Sequence, residues 1–291
     1  MYLILVVELC LFSLVEVRHP PPKPAHPGNP KSASPEVARN VASWNPNSNN
    51  NAWELSGQFE GDIMLHEEAG IKNALQDDNA PKEDQEVILG ALKEYHTKTC
   101  VKFRPYKKGD EDFITIQGKQ AGCWSFVGRR GGGQVVNLQN PGCVHHGIVI
   151  HELLHALGFY HQQSTFERDA FVKINWENIK MGKEHNFRKY GESTVTNFGV
   201  KYDYGSIMHY SAYAFSKNGK PTIKPLESGA EIGQREGLSE KDILKLSKMY
   251  GCHNSYYGEN EEEYPEIEEE KPDIEEEEEN FMFYPRTTPS K

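Results

Sequence analysis

Between Pro81 and Thr99, the apolar residues Val87, Ile88, Ala91, Leu92 and Tyr95 recur at steps of three and four, a spacing that predicts an amphipathic helix packed on one face. Short β-rich runs follow at Val101 to Arg104, Phe113 to Gln117 and Gln134 to Leu138, separated by charged or glycine-rich turns, and these predict strands. The apolar triplet Ile148, Val149 and Ile150 leads into a second, more buried helix that stops at Gly158. Further on, Ser239 and Asp242 form a capping box ahead of Ile243, Leu246, Met249 and Tyr250, with Gly251 placed to close the helix. Periodicity therefore supports an α+β core.

The flanks read differently. Residues Met1 to about Val17 are apolar, too short to span a bilayer comfortably, and run into His19 and a proline cluster, which predicts a signal peptide over residues 1–18 and a secreted protein. From His19 to about Gly57 the chain is rich in Pro, Asn and Ser, with eight of its 17 prolines between Pro20 and Pro46, and a disordered pro-segment is expected there. The net charge of −11 lies in the last 39 residues, where fourteen acidic side chains face three basic ones, so residues 253–291 are expected to be a disordered acidic tail. What precedes them is formally neutral, and no basic face argues for nucleic acid. With Cys10 removed in the leader, Cys100, Cys123, Cys143 and Cys252 remain, an even number suited to two disulfides in an oxidising compartment; three pairings are possible. The Gly128-Arg129-Arg130-Gly131-Gly132-Gly133 run lacks the Gly-Lys-Ser/Thr ending of a phosphate loop and reads as a hairpin or loop.

The chemistry sits in His151-Glu152-Leu153-Leu154-His155-Ala156-Leu157-Gly158-Phe159-Tyr160-His161. Histidines four apart share a helical face, so both imidazoles reach one ion, and Glu152 projects beside it as a general base. Gly158 lets the chain turn and bring His161 round as a third ligand, leaving a position open for water, as a catalytic zinc requires. A bare His-Glu-x-x-His arises by chance in roughly one in a hundred chains of this length, and the added Gly and His lower that by roughly a thousandfold. One zinc ion per chain is expected. The histidines at 145, 146, 185, 209 and 253 have no useful spacing to this set and read as structural.

These residues resemble the metzincin metallopeptidases and, within them, the astacin family, over the span from about Phe59 to Cys252. Further matching motifs are Cys123-Trp124-Ser125, Arg168-Asp169 and the Met-turn Ser206-Ile207-Met208-His209-Tyr210. The resemblance implies a two-lobed zincin-like α+β domain over residues 81–252, with a twisted mixed sheet, an active-site helix and a less regular lobe bearing Met208 beneath the metal. It implies Tyr210 as the residue that contacts zinc at rest and stabilises the oxyanion, and disulfides Cys100 with Cys252 and Cys123 with Cys143. Phe59-Glu60-Gly61-Asp62 resembles the family's propeptide switch, with Asp62 as the zymogen-state ligand in a propeptide over residues 19–80. The expected function is a secreted zinc endopeptidase made as a zymogen, acting on protein or peptide substrates, with no nucleic-acid partner or stable membrane anchor, and monomeric. Gln162 stands where the family usually has Glu to receive the new amino terminus, and Thr165 and Glu167 where Arg and Asp are usual. Between Leu65 and Pro81 neither an activation site nor the family's first strand with its Trp-Pro pair is found, so a gap in the sheet is expected, and a latent zinc-binding protein is the alternative.

Overall fold

In a computed structural model the described residues are 3–8, 34–64 and 81–252. The amphipathic helix forms as α2, Lys82–Lys98, with Glu83 and Asp84 in its first turn complementing the helix dipole and Ala91, Leu92 and Tyr95 buried. It packs on α3, His146–Ala156, and the Tyr95 hydroxyl donates to the Ile150 carbonyl at 2.7 Å. Every residue of α3 from Gly147 to Ala156 is buried, which is why its sequence is apolar nearly all round. At Gly147 the fit is tight: a Cβ there would lie 1.9 Å from the Arg235 carbonyl oxygen.

The sheet has five strands in the order β2-β1-β3-β5-β4, with β1 at Leu3–Glu8, β2 at Lys102–Pro105, β3 at Phe113–Gln117, β4 at Cys123–Ser125 and β5 at Gly133–Leu138. β3 and β5 are parallel, from Phe113 opposite Gly133 to Gln117 opposite Asn137, while β4 runs antiparallel to β5 across the glycine-rich loop. The three strands expected from sequence are β2, β3 and β5. Among the described residues, β1 lies between β2 and β3 and pairs antiparallel with both; residues 65–80, where the family's first strand is sought, lie outside the described residues. The amino-terminal apolar run read as a leader thus supplies a strand, since an extended apolar hexapeptide with free backbone groups can serve in a sheet as readily as in a leader.

The stretch expected to be a disordered pro-segment differs more sharply: from residue 34 to residue 57 it is folded. Helix α1, Pro35–Ala42, is capped by the Ser34 hydroxyl, and a short 3-10 turn follows at Trp53–Leu55. Val41, Trp44, Ala52 and Trp53 join the main core together with residues of α2, α3 and the sheet. The polar residues between them close turns, as Asn45 and Ser48 do, so a high Asn and Ser content reflects turn chemistry here. Residues 9–33 and 253–291, with the rest of the leader and the acidic tail, lie outside the described residues.

A second, smaller core gathers Val172, Phe187, Tyr202, Tyr210, Phe215 and Ile223 around the antiparallel pair β6, Val172–Ile174, and β7, Ile223–Pro225. The last helix, α4, Glu240–Tyr250, carries the capping box at Ser239 and Asp242 and ends at Gly251 with φ +65°. Cys252 is bonded to Cys100, with 5.6 Å between Cα atoms, and Cys123 to Cys143. The longer closure stabilises by as much as about 5 kcal/mol on chain-entropy grounds.

Gly147→Ala should lower the midpoint of chemical unfolding, at a cost of about 1–3 kcal/mol or more for an overpacked core position. An unchanged midpoint would show that α3 and the Arg235 loop are not in that contact.

Candidate metal centre and the segment over it

His151 and His155 stand one turn apart on α3. The helix ends at Leu157, and Gly158 takes φ +108°, a conformation that side chains disfavour, so that the chain reverses and His161 comes back toward the other two. The three rings lie with centroids 4.8 to 5.3 Å apart. Each holds its Nδ1 in a separate hydrogen bond: His151 to the Ile207 carbonyl at 2.9 Å, His155 to the Phe159 carbonyl at 2.7 Å, and His161 to the Glu60 carboxylate at 2.9 Å. Donation from Nδ1 leaves the Nε2 lone pairs free to meet at one point.

Asp62 completes the cluster. One of its oxygens is 3.0 Å from His151 Nε2, and the other lies 3.4 and 3.3 Å from His155 and His161 Nε2. All four residues are buried, and one ligand atom from each falls within 4.8 Å of the others. His155 Nε2, His161 Nε2, one Asp62 oxygen and both Glu152 oxygens make no hydrogen bond. Unpartnered buried atoms of this kind cost about 1–3 kcal/mol each unless something binds them, and three imidazoles with a carboxylate are the donor set zinc prefers. The residues fit a zinc ion.

The electrostatics agree. Burial disfavours charge on Asp62, yet His161 and His155 hold its carboxyl well below the usual range. Burial likewise works against a charged His161, but Asp62 and Glu60 push that imidazole up to about 9. Burial pulls His151 down to about 4, and burial with Asp62 pushes the Glu152 carboxyl well above its ordinary value.

The Ser206–Tyr210 turn lies beside the cluster, its Ile207 carbonyl holding His151. Met208 is buried in the main core, and its carbonyl accepts from the Gln162 amide at 3.0 Å. Asp242, besides capping α4, accepts from Ser206 Oγ at 2.6 Å and the Ile207 amide at 2.9 Å, so one side chain fixes both helix and turn. Tyr210 lies with its ring centroid 4.6 Å from that of His161 and donates its hydroxyl to the Glu60 carbonyl. Gln162 accepts from Lys245 Nζ at 2.5 Å, and Arg168 donates to the Gln163 and Phe187 carbonyls. His145 meets Trp44 edge-on, His146 pairs with Glu94, His185 stacks on Phe59 and His209 bonds Tyr202; His253 lies outside the described residues.

Over the cluster runs the segment 51–64. Met64 donates its amide to the Ser125 carbonyl at 2.8 Å and the Asp62 carbonyl accepts from Ser125 at 3.1 Å, so the segment extends the sheet beyond β4. Trp53 stacks on the His151 ring, centroids 4.1 Å apart and planes 13° from parallel. Buried Glu54 accepts from the Ser211 amide at 2.7 Å and hydroxyl at 2.9 Å, next to Tyr210. Trp53, Glu54 and Glu60 are site residues to which the sequence reading gave no role, and Asp242 was read only as a helix cap. Glu60 could have been suspected from its place in Phe-Glu-Gly-Asp; an isolated Trp-Glu pair in an Asn-rich run gave no such signal.

A mixed sheet backed by a helix whose two histidines, with a third beyond a glycine, surround one point beside an unpartnered glutamate defines a zinc-peptidase type of domain. The model of the astacin peptidase family matches residues 66–251, and the chain belongs to the astacin family. It is 53% identical over 165 residues to zinc metalloproteinase nas-13 of Caenorhabditis elegans, a match covering 57% of this chain and 36% of that protein. It is 46% identical over 176 residues to the low choriolytic enzyme of Oryzias latipes, covering 60% of this chain and 63% of that enzyme. Among solved structures, high choriolytic enzyme 1, a hatching-enzyme zinc protease of the same fish, superposes with a TM-score of 0.57 at 39% identity, covering 61% of this chain and 87% of the other.

Burial pushes the Glu54 carboxyl up to about 7, against the hydrogen bonds from Ser211 and Asn51 and the nearby charge of Arg235. A carboxyl raised in the folded state binds its proton more tightly there than in the unfolded chain. Stability should therefore fall as pH rises from about 4.5 to about 7 and lose nothing more from this group above that. Glu54→Gln should flatten the thermal midpoint across that window; an equal slope in both proteins would place the titration elsewhere.

Proposed function

We propose that the chain is a secreted zinc-dependent endopeptidase made as a zymogen, with His151, His155 and His161 holding the metal, Glu152 as general base, and Asp62 as the ligand that keeps it latent. The observation that carries this reading is the convergence of three buried imidazole nitrogens and the Asp62 carboxylate beside the unpartnered Glu152. Zinc, when bound, supplies a Lewis acid that polarises the scissile carbonyl and acidifies a water molecule.

The protein's own groups do the rest. Glu152 takes a proton from the attacking water and hands it to the leaving amine, with no covalent enzyme intermediate. Asp62 holds the place of that water while the segment is docked, and Glu60 occupies the Tyr210 hydroxyl through its carbonyl. Release of the segment frees that hydroxyl to donate to the developing oxyanion. Protein or peptide substrates are the expected partners, and no helix among the described residues is long and apolar enough to cross a membrane.

The test is zinc content together with peptidase activity on the secreted protein, before and after limited proteolysis between Leu65 and Pro81. Activity that appears on cleavage, with zinc near one per chain throughout, is the expected outcome; zinc without activity after every cleavage would overturn the zymogen reading. Glu152→Ala should keep the metal and lose about 10²–10⁴-fold or more in turnover. A variant that still cleaves near the wild-type rate would remove Glu152 from the role of base.

A further inference from the structure

Two of the three zinc-site histidines are oriented by the peptidase domain itself, through the carbonyls of Ile207 and Phe159. His161 is not. Its Nδ1 partner is the carboxylate of Glu60, which belongs to the segment lying over the site. That carboxylate is buried and also accepts from the Tyr190 hydroxyl at 2.6 Å, with Ser164 Oγ at 3.5 Å. Its main chain is engaged as well: the amide donates to Asn186 Oδ1 at 3.1 Å and the carbonyl accepts from Tyr210. The residue adopts φ +48°, in the left-handed region that a side chain other than glycine enters at a cost. Strain, a buried carboxylate and five polar contacts on one residue mark a position whose geometry is over-determined.

A carboxylate on the far nitrogen of a metal-ligating imidazole fixes the ring and raises its basicity, and loss of such a partner typically costs about 10–100-fold in metal affinity. Building on the zinc-peptidase reading, we infer that Glu60 is a positioning residue for His161, so that the docked segment increases the hold on zinc beyond what its own ligand Asp62 provides. The coupling is reciprocal: whatever docking adds to metal affinity, metal adds to docking. Cleavage and departure of the segment then remove two things from the metal at once, the Asp62 oxygen and the orienting partner of His161. The opened enzyme exchanges zinc faster than the latent one.

The test is the rate at which zinc passes from the latent protein to an excess of a chromogenic chelator. Glu60→Ala, with Asp62 intact, should release zinc about 10–100-fold faster than the wild type. Cleavage between Leu65 and Pro81 followed by removal of the segment leaves variant and wild type with the same sequence, so their release rates should then coincide. If Glu60→Ala is not secreted in folded form, Glu60→Gln, which keeps the shape and loses the charge, should still release zinc several-fold faster. Release from the latent variant within about twofold of the wild type, or a difference that persists after the segment is removed, would overturn the inference. A wild-type protein that carries no zinc would instead overturn the zinc-peptidase reading beneath it.

Discussion

Five ionisable side chains, His151, Glu152, His155, His161 and Asp62, share one water-excluded volume, and several of their polar atoms have no protein partner. Two carboxyl groups buried side by side repel each other, and unpartnered polar atoms are costly to bury, so a cation among them stabilises the set. The rest of the fold can be understood as the means of holding it. Helix α3 is buried on every side because it must set two rings at a fixed spacing. Gly158 reverses the chain in the one conformation that returns His161 to the first two. Asp242 ties the Met-turn to the cap of α4, and Cys252 fixes the end of that helix to Cys100 at the end of α2.

The segment over the site is part of the same core. Val41, Trp44, Ala52 and Trp53 pack with the helices and the sheet, and Trp53 lies flat on a metal-site imidazole. Burying an aromatic side chain stabilises by roughly 1.5–3 kcal/mol, so removing the segment exposes an area that matters to the remaining domain. The contacts that cover the metal-site histidines are therefore also contacts that complete the core. Arg235 shows the link at one residue, lying over Trp44, donating to the Ser48 carbonyl and facing Glu54 from the loop before α4.

What could be read from the sequence was local. The zinc helix, the capping box at Ser239 and Asp242, the helix after Pro81 and the strand Phe113–Gln117 each carry their signal within one or two turns of chain. Asp62 entered through a short motif, although its carboxylate's contacts lie 89 residues away and more. Glu60 sits in the same motif, yet its meaning depends on Tyr190, Asn186 and the His161 ring, which no spacing along the chain could bring together. The folded stretch from residue 34 to residue 57 escaped because averaged composition hides a few anchors: two tryptophans, a valine and an alanine supply the buried surface, while the polar majority closes turns around them.

Strand β1 follows another logic. A place between β2 and β3 asks for an extended backbone with hydrogen bonds on both sides, and it sets hydropathy without setting sequence or direction, because the pairing is made by main-chain groups. Leu3–Glu8 meets that demand antiparallel to both neighbours. β2 does not depend on it alone. The Phe103 amide donates to His96 at 2.7 Å, the Phe103 ring meets Tyr95 edge-on at 5.4 Å, and Cys100 just before the strand is bonded to Cys252. These contacts anchor β2 to α2 and α4 from the side away from β1.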